Sequence, residues 1–86
     1  MLEKLRILNL EKTLLTDAGL KSLVKLKVLR FLDLDGTKIT DQALAELALL
    51  KSVRRLSVRS TGLSQDGEAK LRRLLPLAKV VGKDGS

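Results

Sequence analysis

The 86-residue chain contains no cysteine and no histidine, and Phe31 is its only aromatic side chain. Without cysteine there are neither disulfides nor thiolate metal sites, and the redox compartment is left open. Without histidine the commonest metal ligand and acid/base group is missing. Proline is nearly absent as well, with Pro76 alone. No apolar run approaches the roughly 20 residues of a membrane span. Met1-Leu-Glu-Lys4 enters the main sequence pattern at once, without the apolar core of a signal peptide, so a cytoplasmic protein is expected, with no membrane partner.

What remains is aliphatic and charged. A chain of this length forms one small domain that buries only about 60% of its unfolded surface or slightly more, so each apolar position must count. With so few aromatics the core has to be built from leucine, valine and alanine. The net charge of +7 is unevenly placed. Residues 1–26 carry five basic and three acidic groups, residues 27–50 three and four, and residues 51–86 nine and three. The excess belongs to the last third, where it serves either as a solvated end face or as a site for an acidic partner.

The chain is organised around a repeated stretch. Leu5 to Leu20 returns at Leu29 to Leu44, 24 residues later, and again in worn form at Val53 to Glu68. The matched columns are Leu5/Leu29/Val53, Leu8/Leu32/Leu56, Leu10/Leu34/Val58, Thr13/Thr37/Thr61, Leu15/Ile39/Leu63, Thr16/Thr40/Ser64, Leu23/Leu47/Leu71 and Leu26/Leu50/Leu74. A fixed period with apolar residues in the same slots marks a solenoid, whose units bury their cores only by stacking. The alternation at Leu8-Asn9-Leu10 predicts a short strand. Asp35-Gly36 predicts a turn. Thr16-Asp17 and Thr40-Asp41 predict helix starts, with the threonine as N-cap and the aspartate favourable against the helix dipole.

The third unit departs from the first two. Gln65 replaces the aspartate, and Glu68 falls in the Leu20/Leu44 column, so the third helix is expected to be rotated or exposed on its far side. Pro76 should stop that helix near Leu74 or Leu75. One further period places Leu77 and Val80 in core slots and makes Lys79-Val80-Val81 a fourth strand.

The pattern LxxLxLxxTxLTDxGLxxLxxL resembles a leucine-rich repeat, in the variety with a Thr-Asp-x-Gly-Leu helix start known from bacterial repeat proteins and, more loosely, ribonuclease-inhibitor relatives. The match is nearly complete over residues 5–50 and degraded over 53–75. The resemblance implies an α/β leucine-rich-repeat solenoid of about three repeats (5–28, 29–52, 53–76) and a terminal strand and tail (77–86), in one domain over 1–86. Parallel strands would line a concave face and short helices a convex one. It also implies use as a protein-binding scaffold, without a cofactor. Many such repeats carry asparagine after the strand, where its amide ties adjacent turns. Here Thr13, Thr37 and Thr61 hold that place, and a weaker hydroxyl ladder is expected.

Alternation assigns four columns to the open face: Arg6/Arg30/Arg54, Ile7/Phe31/Arg55/Lys79, Asn9/Asp33/Ser57/Val81 and Glu11/Asp35/Arg59/Lys83. Arginine and aromatic side chains dominate binding energy at interfaces, so the expected partner surface is Arg6, Ile7, Arg30, Phe31, Asp33, Arg54, Arg55 and Arg59. The competing reading packs Phe31 on arginine stems and pairs the arginines with Asp33 and Asp35. The first repeat presents Leu2, Leu5, Leu8, Leu10, Leu20 and Leu23 at an end with nothing ahead of it, which predicts self-association to a homodimer or a place within a longer repeat protein. An enzyme is not expected, since the carboxylates are assigned to solvent positions and Gly82-Lys-Asp-Gly85 lacks a strand-loop-helix context. The alternative function is electrostatic binding of nucleic acid or another polyanion through Arg54, Arg55, Arg59, Lys70, Arg72, Arg73, Lys79 and Lys83. It would have no aromatic stacking platform.

Overall fold

A computed structural model describes residues 4–83 of the chain. Leu2 and the tail beyond Lys83 lie outside those residues. Each alternating segment forms a three-residue strand: β1 Ile7–Asn9, β2 Phe31–Asp33, β3 Arg55–Ser57 and β4 Lys79–Val81. The strands pair in parallel and in chain order, with Ile7, Phe31, Arg55 and Lys79 in one row and Leu8, Leu32, Leu56 and Val80 in the next. Between them lie α1 (Leu20–Leu23) and α2 (Leu44–Leu47), each entered through a 3-10 turn, and α3 (Gln65–Leu74). The result is an α/β fold in which the leucine row of the sheet and the apolar faces of the helices share one core, including Leu20, Leu32, Leu47, Leu56 and Leu71.

Backbone hydrogen bonds carry the periodicity past the strand ends. Arg30 N donates to Arg6 O, Arg54 N to Arg30 O and Lys79 N to Arg54 O, all at 2.8 Å. Beyond the strands, Lys12 N donates to Asp35 O at 2.7 Å and Gly36 N to Arg59 O at 2.8 Å. The turns there pass through the left-handed region at Lys12 (φ 61°), Gly36 (φ 71°) and Ser60 (φ 58°).

The threonines after the strands do not tie adjacent units together as expected. Thr13, Thr37 and Thr61 each donate a hydroxyl to a carbonyl three residues earlier in their own unit, Leu10, Leu34 and Val58, at 2.8 Å. The hydroxyl is too short to reach the next turn once it has folded back. The cross-unit ties fall instead to the aspartates at the helix starts. Asp17 accepts Thr40 N at 2.7 Å and Thr40 Oγ1 at 2.6 Å, and Asp41 accepts Ser64 N at 2.9 Å and Ser64 Oγ at 2.6 Å. Thr16 stands at the N-cap position but makes no side-chain capping bond, whereas Thr40 accepts from Gln42 N and Ser64 from Gly67 N. In the third unit Gln65 takes the aspartate's place.

The third helix is not exposed at Glu68. That side chain is buried, and its carboxylate accepts Lys83 N at 3.3–3.4 Å beneath the turn after β4. A buried carboxylate is tolerated here because a backbone N–H is aimed at it. Gly82 approaches so closely that a Cβ there would collide with Glu68 Oε1. The helix ends at Leu74 ahead of Pro76, but the core slots slip by one residue. Leu75 is buried in place of Leu74, and Ala78 packs on the core where Leu77 was expected. Full α-helical winding over ten residues, in place of a 3-10 turn plus one short helix, accounts for the shift.

Asp17→Ala should lower the unfolding free energy by about 1–3 kcal/mol, because two donors of Thr40 lose a charged acceptor. Asp17→Asn should lose less, since an amide oxygen still accepts the Thr40 N–H, and urea unfolding followed by circular dichroism compares the two. By the same assay Gly36→Ala should cost about 1–2 kcal/mol, the penalty for a Cβ in left-handed backbone.

Candidate functional site

The side of the sheet away from the helices displays one straight row, Ile7, Phe31, Arg55 and Lys79, set side by side by the strand register. All four are exposed, and Phe31, the chain's only aromatic residue, is 49% exposed. Along the row the character changes from apolar to cationic. The next outward column does not stay open: Asn9 is exposed, Asp33 half-buried, and Ser57 and Val81 buried. Asp33 accepts Asp35 N at 2.9 Å, just as Asn9 accepts Glu11 N at 2.9 Å, so its carboxylate stabilises its own turn.

The arginine column does not run along this row. Arg30 Nη1 donates to Ser52 O at 3.2 Å, and Arg54 Nη1 donates to Lys51 O at 3.0 Å and Val53 O at 3.3 Å. These residues precede their strands, so their guanidiniums turn to the edge where the helices return to the sheet and satisfy its carbonyls. Of the expected partner surface, Ile7, Phe31 and Arg55 share the exposed row; Arg6 is exposed just ahead of β1.

The carboxylates were expected at solvent positions, and Asp35, like Glu68, departs from that expectation. It is only 7% exposed. Ser57 Oγ and Arg59 N each donate to Asp35 Oδ1 at 2.7 Å, and Arg59 Nε lies 3.3 Å from Oδ2. Burial by itself would raise the Asp35 pKa. The hydrogen bonds from Ser57 and from the backbone and side chain of Arg59, together with the guanidinium charge, outweigh it and hold the carboxyl below its ordinary 3.8. The signal in the sequence was the sign reversal between Asp35 and Arg59, one period apart in one column. Asp41 is likewise held low, chiefly by the Ser64 hydroxyl and then by the Ser64 N–H. Beside Asp35, a shallow groove at the strand ends is lined by Glu11, Lys12, Gly36, Arg59, Ser60 and Lys83.

Of the leucines assigned to the open end, Leu5, Leu8, Leu10 and Leu23 are half-buried, whereas Leu20 is buried in the core and offers no end surface. The polyanion set is divided between layers. Lys70, Arg72 and Arg73 belong to α3, while Arg55 and Lys79 face outward from the opposite side of the sheet, and Arg72 Nη2 donates to Val80 O at 3.2 Å. Among the described residues no three His, Cys, Asp or Glu side chains stand together as a metal site, and no helix is long and apolar enough to cross a membrane. The chain matches no known family model and no curated protein.

Asp35 has a folded pKa below its ordinary value of 3.8, so its ionised form adds stability above that pH, and the gain is lost as pH falls through the folded pKa. The unfolding free energy of the wild type should exceed that of Asp35→Asn by about 1–2 kcal/mol at neutral pH. The gap should be flat down to about pH 5 and narrow below pH 4, as checked by urea titrations at stepped pH.

Proposed function

We propose that this protein is a non-enzymatic interaction module of the leucine-rich-repeat type, a short solenoid that binds a protein partner on the outer face of its parallel sheet. The observation that carries the reading is the half-exposed Phe31 at the middle of an in-register row between Ile7 and Arg55. A rigid ring flanked by an aliphatic side chain and a guanidinium combines the residue types that anchor interfaces. The parallel sheet with its 24-residue register supports the solenoid reading. The buried carboxylates Asp35 and Glu68 both accept internal hydrogen bonds, which supports a binding role over acid/base chemistry. Self-association belongs to the same proposal: among the described residues β1 pairs with β2 alone, and the half-buried Leu5, Leu8 and Leu10 lie along that edge.

The polyanion reading needs cations on one face, and their division between α3 and the outer sheet weighs against it. Binding to a partner protein should weaken by about 2 kcal/mol or more on Phe31→Ala and change little between low and physiological salt. A duplex DNA probe should show the reverse, losing orders of magnitude in affinity with salt and ignoring the substitution, if the electrostatic reading holds. Light scattering after size exclusion should show the mass rising toward a dimer with concentration. A constant monomer mass would remove the self-association half of the proposal.

A further inference from the structure

Three exposed leucines lie toward one edge of the fold: Leu49, which falls outside the matched columns, and Leu74 and Leu77, whose columns are otherwise apolar. Leu49 is 56% exposed, Leu74 43% and Leu77 72%. The positions equivalent to Leu49 in the other two units are Lys25 and Arg73, both exposed and charged, so an apolar residue there serves no shared packing role. Leu74 and Leu77 were displaced outward by the one-residue slip that put Leu75 and Ala78 against the core. All three lie on the edge where the helices return to the strands. Two adjoining hollows open there, one walled by Val53, Leu75, Pro76 and Ala78 between the displaced leucines, the other reaching from Leu49 to Leu26.

The charge around these hollows has one sign. Lys51 lines both and reaches the Leu74 carbonyl at 3.5 Å, Lys27 lines the second, and no carboxylate lines either. The guanidiniums of Arg30 and Arg54 join the same edge through their bonds to Ser52 O and to Lys51 O. An apolar strip with concave seats and a purely cationic rim is complementary to leucine-type side chains flanked by carboxylates.

We propose that this edge is a second docking surface, distinct from the Phe31 row, for an acidic amphipathic segment of a partner protein. Apolar side chains of the segment enter the seats between Leu49, Leu74 and Leu77, and its carboxylates meet Lys27, Lys51, Arg30 and Arg54. Seats recessed below the protruding leucines favour inserted side chains over the flat surface of a bilayer.

A displayed library of random twelve-residue peptides, selected on the intact chain, tests the proposal. Peptides joining leucine-type residues to aspartate or glutamate should be enriched, and a fluorescent copy of the best should bind with a measurable anisotropy change. Leu49→Ser with Leu77→Ser, and separately Lys51→Glu, should each weaken that binding at least tenfold, with unchanged circular dichroism. Phe31→Ala should leave it within twofold, which separates this surface from the sheet face. The proposal is overturned if no such peptides emerge, if their affinity survives the leucine and lysine substitutions, or if it tracks Phe31 instead. It also fails if anionic phosphatidylserine vesicles, and not the peptides, respond to these substitutions, which would make the edge a lipid-binding surface.

Discussion

Parallel backbone hydrogen bonds between residues about one 24-residue period apart set the position of everything else in this molecule. They run through the three-residue strands and on into the turns, where Lys12 N meets Asp35 O and Gly36 N meets Arg59 O. Strands this short would be marginal by themselves. Their persistence rests on the leucines beneath them and on a second line of ties at the helix starts. There Asp17 and Asp41 each accept both the N–H and the hydroxyl of the next unit's cap residue. A carboxylate suits this role because it accepts two donors at once, and its ionised form strengthens both bonds. The sheet and the helix layer are thereby kept in the same step.

The third unit shows how a periodic structure can end without repeating itself. Gln65 stands where an aspartate would hold a further cap, α3 winds as a regular helix, and the segment around Pro76 slips locally by one residue before β4 restores the 24-residue register. Two consequences oppose each other. Glu68, in a column otherwise held by leucine, becomes an internal acceptor that fastens the segment after β4 to α3. Leu74 and Leu77 leave the core and add apolar surface to an edge already rich in cations.

Electrostatics divides the arginines by role. Arg30 and Arg54 answer carbonyls at the helix-to-strand edge, Arg59 neutralises Asp35, and Arg55 remains free of these duties on the outer row beside Phe31. A single sign of charge in composition therefore resolves into several local tasks. The exposed row owes its availability to Arg55 and Phe31 occupying positions whose backbone needs nothing from their side chains.

Much of this was legible in the order of residues. Spacing of Leu8, Leu32 and Leu56 announced the parallel strands, Pro76 the end of α3, and Asp35-Gly36 the turn, because those outcomes depend on local periodicity and backbone constraints. The direction of a flexible side chain does not. Arg30 and Arg54 were placed on the open face by column, yet their guanidiniums bond the carbonyls of Ser52, Lys51 and Val53. Thr13 was expected to reach a neighbouring turn, but its short hydroxyl closes on Leu10 instead. Glu68 looked unsuited to burial until the chain's return past Gly82 supplied the Lys83 N–H. The sequence by itself determined the period, the strand order and the aliphatic core. Only the tertiary structure decided which charged groups are consumed internally and which leucines are left outside, since both depend on donors and packing brought from a full period away.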